Sequence, residues 1–232
     1  PGDVVREAGE LVGPLLAQRA LRLEVDLPAL RHGSVVGDAQ RLVQVLNNRG
    51  TVTGQVLPPA MGGFDPKYQG YPYDPAKAKD LLKEAGQENL KLVLWNRNLA
   101  MPYTPAGIFL VDQWRQIGLN VKQVSLESAA WLQAQKSGDF EVSTNAPCNS
   151  IVEPDMDLHW YLTTSPVNFS RHKDTVMDEL YLKQARATDP EERKKHLRAF
   201  EKRLYDEEVH FIHALQWNRI VPHMTKVRGW TI

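Results

Sequence analysis

The residues best suited to chemistry occur in three places, and each has a simpler alternative. His210 and His213 stand three positions apart, a spacing that suits a shared metal ion on a helix. We predict a strand there, on which the two side chains face opposite sides, so no metal site is expected. Asp155 and Asp157 could be paired carboxylates for acid–base catalysis, although acids in a loop are more often simply solvated. Cys148 could be a nucleophile only beside a positioned histidine, so an idle thiol is expected.

The sequence motifs of common catalytic and cofactor sites are missing. G-x-S-x-G, the Walker A pattern and G-x-G-x-x-G do not occur. We therefore predict no catalytic residue, no metal ligand and no cofactor, and a protein that is not an enzyme.

Composition argues against several other classes of protein. The 28 basic residues balance 28 acidic ones, so a broad nucleic-acid-binding surface is not expected. The single cysteine cannot form a disulfide within the chain. No apolar run approaches the ~20 residues that span a bilayer, so we predict no transmembrane segment. The first 18 residues carry acids and lack an apolar core, so we expect no signal peptide in this chain.

Aromatic and amide side chains are the better candidates for a functional site. Several of them follow predicted strands or begin predicted helices, and ligand clefts in α/β sheets lie at the carboxyl ends of strands. Aromatic walls with a few amides and one acid suit a small polar ligand. The alternative is that the tryptophans only fill the core. The predicted ligand-binding residues are Trp95, Trp131, Asn145, Asn149, Asp155 and Trp217.

Helices and strands alternate with short connections from residue 74 onward, which predicts an α/β fold with a largely parallel sheet. Asp74 and Pro75 begin the first of these helices, and Gly86 ends it. Further helices are predicted at 104–118, 128–138, 172–188 and 189–207. Strands are predicted at 90–95, 119–126, 139–146 and 209–217, and a loop at 147–166.

Several stretches, in order, resemble the family 5 extracytoplasmic solute-binding proteins, the dipeptide, oligopeptide and nickel receptors of ABC importers. RGTVTGQVLPP and YPYDPAKAKDLLKEAG resemble the arm and helix of this family. VDQWRQIGLNVKQVSLE resembles its next helix and strand, and GDFEVSTNAP with EPDMDLHWYL its cleft-lining strand and loop. The segment from residue 189 to 230 resembles its closing helix, strand and return. Together these stretches cover about four-fifths of the chain.

This resemblance implies a single lobe of a type II periplasmic-binding-protein-like fold, the carboxyl-terminal one. Residues 47–73 would be a Gly/Pro-rich arm and 74–232 the lobe. The implied function is the partial substrate-binding component of an ABC importer, with a small peptide or similar solute and ABC permease subunits as partners. The family context implies a periplasmic or otherwise extracytoplasmic, membrane-associated location. Asp155 is the candidate acid that meets a ligand amine.

Residues 1–46 have a different character. They contain a predicted helix at Val4–Leu16, an alternating strand at 21–28 and a helix at 38–46, and they resemble the start of a histidine-kinase ATP-binding domain. The helix-strand-helix segment would then be an incomplete kinase-like part fused to the lobe, with Gly37–Leu46 as a junction that fits both families. The alternative functions are an incomplete ATP-binding fragment, or a folded domain without a ligand.

Overall fold

A computed structural model describes residues 37–68, 70–149, 151–208, 211–218 and 224–228. The helix predicted at Val4–Leu16, the strand predicted at 21–28 and the candidate ligand His210 lie outside the described residues.

The central sheet has three parallel strands, in which β2 (Lys91–Arg97) lies between β3 (Asn120–Leu126) and β4 (Val142–Ser143). β2 (Lys91–Arg97) pairs along its whole length with β3 (Asn120–Leu126), which confirms both predicted strands. β4 (Val142–Ser143) has only two residues, so the strand predicted at 139–146 is wrong in its extent. Just before and just after β4, hydrogen bonds to side chains take the place of backbone pairing between strands. Glu141 accepts a hydrogen bond from the backbone N–H of Val93 (2.9 Å), and the N–H of Ala146 donates to the Tyr103 hydroxyl (3.2 Å).

Four helices pack around this sheet. α1 (Ala39–Val45) lies on α3 (Tyr103–Gln116), and α2 (Pro75–Glu84) and α4 (Ser128–Ser137) complete the set. As predicted, the Asp74 side chain caps α2 by accepting from the N–H of Lys77. The largest core cluster lies between α2, α3 and the sheet. It contains Ala78, Leu81, Leu82, Leu94, Val111, Trp114, Ile117, Leu119 and Val121.

The segment predicted as a loop at 147–166 contains α5 (Pro154–Leu158) and a single 3-10 turn (His159–Tyr161), so the prediction is wrong there. Pro154 occupies the first turn, where proline is favoured because its missing N–H has no helical partner. Asp155 and Asp157 also lie in that turn, where negative charge is stabilised by the helix dipole.

The last two helices confirm the prediction for the carboxyl-terminal half. α6 (Thr175–Arg186) packs against α7 (Pro190–Lys202), and a π-helical turn follows at Arg203–Glu207. Their core cluster also takes in Leu57 of the arm. Its members are Leu57, Met61, Leu158, Tyr161, Met177, Leu197, Phe200, Leu204 and Tyr205.

The described residues also contain a second sheet, which has two strands. β1 (Gly50–Thr51) pairs antiparallel with β5 (Gln216–Trp217). The strand predicted at 209–217 is therefore wrong in its extent, because its partner in the described residues supplies only two positions. The Gln216 side chain instead donates to the carbonyl oxygens of Gln55 (3.0 Å) and Val56 (2.6 Å).

Candidate functional site

The carboxyl ends of β2 and β3 meet at one edge of the sheet, where two helices also begin. Arg97, the last residue of β2, is level with Leu126 of β3. α3 begins at Tyr103 and α4 at Ser128 beside these strand ends. This carboxyl edge is the place where open α/β sheets bind ligands, because loops and helix N-termini converge there.

Asn96 joins three segments at the carboxyl edge. It is fully buried, and its Nδ2 donates to the carbonyl oxygen of Tyr103 (2.7 Å). Its Oδ1 accepts from the N–H of Arg97 (3.0 Å) and the hydroxyl of Thr144 (2.5 Å). These bonds satisfy the buried amide and fix the start of α3 to β2 and to the chain that follows β4. Gly107 of α3 lies so close to this amide that an ideal Cβ would stand 2.1 Å from Nδ2.

An aromatic cluster forms one side of the edge. Tyr103 and Trp131 meet edge to face, with ring centroids 5.5 Å apart, and Trp95 belongs to the same buried cluster. The indole Nε1 atoms of Trp95 and Trp131 are buried and lack a hydrogen-bond partner. Unpaired buried N–H groups are uncommon in native structures, so these two donors mark the cluster as unusual.

Arg97 lies against this aromatic cluster. Its Nε donates to the hydroxyl of Ser128 (2.8 Å), and its Cζ lies 5.5 Å from the ring centre of Tyr103 and 5.6 Å from that of Trp131. Both distances are within the range of cation–π attraction. The guanidinium is therefore held in one orientation at the end of the sheet.

A separate polar cluster links α5 to α6 and α7. Asp155 accepts from the side-chain amide of Gln184 and lies 3.5 Å from Arg193, which also pairs with Glu153. These contacts give the Asp155 carboxylate a role in holding the three helices together. Both contacts are made by Oδ1, and the side chain is 35% exposed, so a ligand amine could approach the other carboxylate oxygen.

The amides predicted to line the site have different surroundings. Asn149 donates to the carbonyl oxygen of Met156 (2.8 Å) and to the carboxylate of Asp157. Burial raises the pKa of Asp157 above its usual value, whereas the bond from Asn149 opposes that shift. Asn145 is exposed in the segment after β4.

The six predicted ligand-binding residues thus fall into three groups. Trp95 and Trp131 share one cluster, and β2 extends two residues beyond Trp95, contrary to the expectation that this residue ends the strand. Asn145 and Asn149 lie between β4 and α5, and Asp155 lies in the first turn of α5. Trp217 of β5 packs elsewhere, against the cluster of Leu42, Leu46 and Phe109.

Sequence reasoning missed three residues of the carboxyl edge: Asn96, Arg97 and Tyr103. The available signal was positional, since Asn96 and Arg97 follow Trp95 directly and Tyr103 immediately precedes Thr104, where α3 was predicted to start. An amide and a guanidinium at the end of a parallel strand are natural candidates for ligand recognition.

The structure also shows the surroundings of His213 and Cys148. Burial lowers the pKa of His213 to about 4, and its Nε2 lies 3.4 Å from the Thr53 hydroxyl. Cys148 is an exposed free thiol. Within the described ranges, no three His, Cys, Asp or Glu side chains are grouped to hold a metal ion. No helix in those same ranges has the length and apolar character needed to cross a membrane.

Comparison with known proteins identifies the family. Residues 35–169 match the model of the bacterial extracellular solute-binding proteins, family 5 Middle. The match covers more than half of the chain, which therefore belongs to this family and has part of one lobe of the type II periplasmic-binding-protein fold.

Individual relatives support the same family. Di/tripeptide-binding protein 1 of Pseudomonas aeruginosa is 29% identical over 153 residues, which are 62% of this chain and 28% of that protein. The dipeptide-binding protein of Escherichia coli is 33% identical over 102 residues, 42% of this chain and 19% of the relative. The chain thus spans less than a third of either relative's length.

A solved structure shows the same fold. The dipeptide-binding protein from Pseudoalteromonas sp. SM9913, in complex with Met-Leu, superposes with a TM-score of 0.71 at 22% identity. The superposition covers 83% of this chain and 39% of that one.

Proposed function

We propose that this chain is the partial substrate-binding component of an ABC importer, and that it binds a small peptide or a similar small solute for transport. The observation that carries the proposal is the group formed by Arg97, Tyr103 and Trp131 at the carboxyl edge of a parallel sheet. The peptide-binding relatives support the class of solute. The chain would act by binding alone, outside the cytoplasm, and would deliver its solute to ABC permease subunits.

The proposed contacts follow from position at the edge. Trp131 and Trp95, together with Tyr103, would form the apolar wall, and the exposed Asn145 would offer an amide to the solute backbone. Asn149 would contribute from the segment before α5 and Asp155 from the first turn of α5, where the Asp155 oxygen that is not bonded to Gln184 would accept from a ligand amine. Trp217 packs with Leu42, Leu46 and Phe109 in the other cluster, so no solute contact is proposed for it.

Thermal unfolding of the purified chain tests this function. We expect mixed di- and tripeptides to raise the melting temperature by several degrees, because a ligand at 100 times its Kd adds about 2.7 kcal/mol to stability. Mg–ATP should leave the melting temperature unchanged. A shift with Mg–ATP alone would establish the kinase-like alternative, and no shift with either would indicate a folded domain without a ligand.

A matched pair of variants locates the site. Trp131→Phe should weaken peptide binding, because it alters the ring that meets Tyr103 edge to face and lies against Arg97. Trp217→Phe makes the same chemical change in the other cluster and should leave binding nearly intact. Equal losses in the two variants would contradict the placement of the site at the carboxyl edge.

A further inference from the structure

We infer that the arm (residues 47–73) is held on α7 by a pH-sensitive latch, which consists of the Glu201 carboxyl group and the backbone of Leu57. The latch is closed while Glu201 is protonated and opens when the carboxyl group ionises. This inference concerns a conformational change within the lobe, and it does not depend on which solute the chain binds.

The Glu201 carboxyl group lies between α7 and the arm. Its side chain is only 4% exposed, and its Oε1 accepts from the backbone N–H of Leu57 (3.1 Å). Leu57 is fully buried in the core cluster of α6 and α7. The carboxyl group is therefore shielded from solvent for as long as Leu57 stays packed on the helix.

The charged form of this carboxyl group is poorly stabilised. Its Oε2 is buried and has no hydrogen bond to a described residue, although Nη1 of Arg198 lies 3.6 Å away. The guanidinium of Arg198 is shared, since it also lies 2.9 Å from Asp65 and donates to the side chain of Gln55 (2.8 Å). A buried carboxylate requires a paired charge and full hydrogen bonding, so ionisation favours movement of Glu201 towards water.

The other titratable groups around Glu201 add no positive charge. Burial raises the pKa of the Tyr68, Tyr161 and Tyr205 hydroxyls, and the charge of Glu201 raises it further, so all three stay neutral. His213, beside Tyr205, is neutral because burial lowers its pKa to about 4. The nearby acids are Asp65 beside Arg198, Asp157 near Tyr161 and Asp206 bonded to Tyr68. Across the ranges that the structure describes, Arg198 is thus the only cation paired with Glu201.

The direction of the effect follows from the pKa of Glu201 in the two states. Burial raises this pKa from 4.5 to about 7, although the bond from Leu57 and the charge of Arg198 oppose the shift. The carboxyl group therefore binds its proton more tightly beneath the arm than in solvent. Docking of the arm is strongest below about pH 4.5, weakens as the pH rises to about 7, and changes little above that.

The arm also connects the latch to the second sheet. The side-chain amide of Gln216 in β5 donates to the carbonyl oxygens of Gln55 and Val56, the two residues before Leu57. β1, at the start of the arm, pairs with the same strand. Release of Leu57 from α7 therefore frees one end of the segment that β5 holds, and it loosens the connection between α7 and the second sheet.

Amide hydrogen exchange, followed by NMR between pH 5 and pH 8, tests the latch. After correction for the intrinsic rate, exchange of the Leu57 N–H in the wild-type protein should become at least about tenfold faster over this range, since each pKa unit changes the equilibrium tenfold. At pH 8 the Leu57 N–H should exchange faster than that of Leu94 in β2, because the arm opens without unfolding of the lobe. Glu201→Gln keeps an acceptor for the Leu57 N–H and cannot ionise, so its corrected rate should not change with pH.

Glu179→Gln is the matched control, because Glu179 lies on the exposed face of α6, and this variant should keep the pH dependence of the wild type. A Leu57 rate that is independent of pH in the wild type, or one that still depends on pH in Glu201→Gln, would overturn the inference. Equal exchange of Leu57 and Leu94 at every pH would also overturn it, because the arm would then open only when the whole lobe unfolds. If Glu201→Gln does not fold, the two rates in the wild-type protein still decide the question.

Discussion

At the scale of single residues, Asn96 contributes most to the order of the carboxyl edge. Its side chain bonds to Tyr103, Thr144 and the N–H of Arg97, and so joins one strand, one helix and one loop. A buried amide contributes stability only when its donors and acceptors are paired. The sequence places Asn96 after a hydrophobic strand but contains no sign of these partners, which are 7 and 48 positions away.

Replacing Asn96 should therefore lower the free energy of unfolding. Asn96→Ala removes three hydrogen bonds, leaves buried polar groups unpaired and opens a small cavity, so we expect a loss of about 2–4 kcal/mol in the free energy of unfolding. Urea denaturation measures this loss. Asn98→Ala is the control, because the Asn98 amide bonds to Glu127 at the surface and should cost less than about 1 kcal/mol. Similar losses in both variants would contradict the role given to Asn96.

Gly107 provides a second test at this scale. Alanine normally favours a helix over glycine by about 1 kcal/mol. In Gly107→Ala, however, the new Cβ would lie 2.1 Å from Asn96 Nδ2 and 2.9 Å from Gln123 Nε2, and the hydrogen-bonded Asn96 has little room to move. We expect a net loss of about 1–3 kcal/mol in urea denaturation.

Gly62→Ala is the matched control for this substitution. A Cβ at Gly62 would meet nothing within 4 Å, so stability should change by less than about 0.5 kcal/mol. A Gly107→Ala protein as stable as wild type would mean that the contact between α3 and Asn96 is looser than the structure shows.

At the scale of elements, the arm before α2 is ordered by side-chain contacts. The Gln55 side chain exchanges two 2.8 Å bonds with the backbone of Asp65, and Leu57 is fully buried. The hydroxyls of Tyr68 and Tyr71 both donate to Asp206 after α7. The sequence predicted an extended, Gly/Pro-rich stretch but could not show these partners, because an irregular segment has no periodicity to mark its buried side.

The contact between the arm and α7 should depend on pH. Glu201 of α7 is buried and accepts from the N–H of Leu57 (3.1 Å), and burial raises its pKa from 4.5 to about 7. The folded state then binds the proton more tightly than the unfolded state does. This group therefore makes stability fall as pH rises from about 4.5 to 7, by on the order of 3 kcal/mol.

Urea denaturation between pH 4.5 and 8 measures this effect. Glu201→Gln should remove this contribution to the slope and keep an acceptor for the N–H of Leu57. Glu179→Gln, on the exposed face of α6, should preserve the wild-type slope. An unchanged slope in Glu201→Gln would contradict the raised pKa of Glu201.

At the scale of the whole molecule, the sequence predicted the layers better than the contacts between distant segments. The alternation of helix and strand gave the α/β class, and β2, β3 and the main helices agree with it. The strands predicted at 139–146 and 209–217 were too long, because hydrophobic alternation does not reveal how much of a strand finds a partner. α5 was missed because only Pro154 and two acids mark its first turn.

The packing of α1 bears on the predicted junction between the amino-terminal segment and the lobe. α1 packs through Leu42 with Leu46 and Phe109, and the family match begins at residue 35. The end of the segment assigned to a kinase-like part therefore packs on the lobe. The fusion of residues 1–46 to the lobe, and the boundaries at 46 and 73, remain predictions.

We propose that the solute binds at the carboxyl edge of the sheet. Binding there is tested most directly by following the indole N–H resonances of nitrogen-15-labelled protein, assigned with Trp→Phe variants, while a di- and tripeptide mixture is added. We expect the resonances of Trp95 and Trp131 to shift, because their N–H groups adjoin the site and lack an acceptor, while that of Trp217 stays in place. A shift confined to Trp217, or no shift at any indole, would contradict binding at this edge.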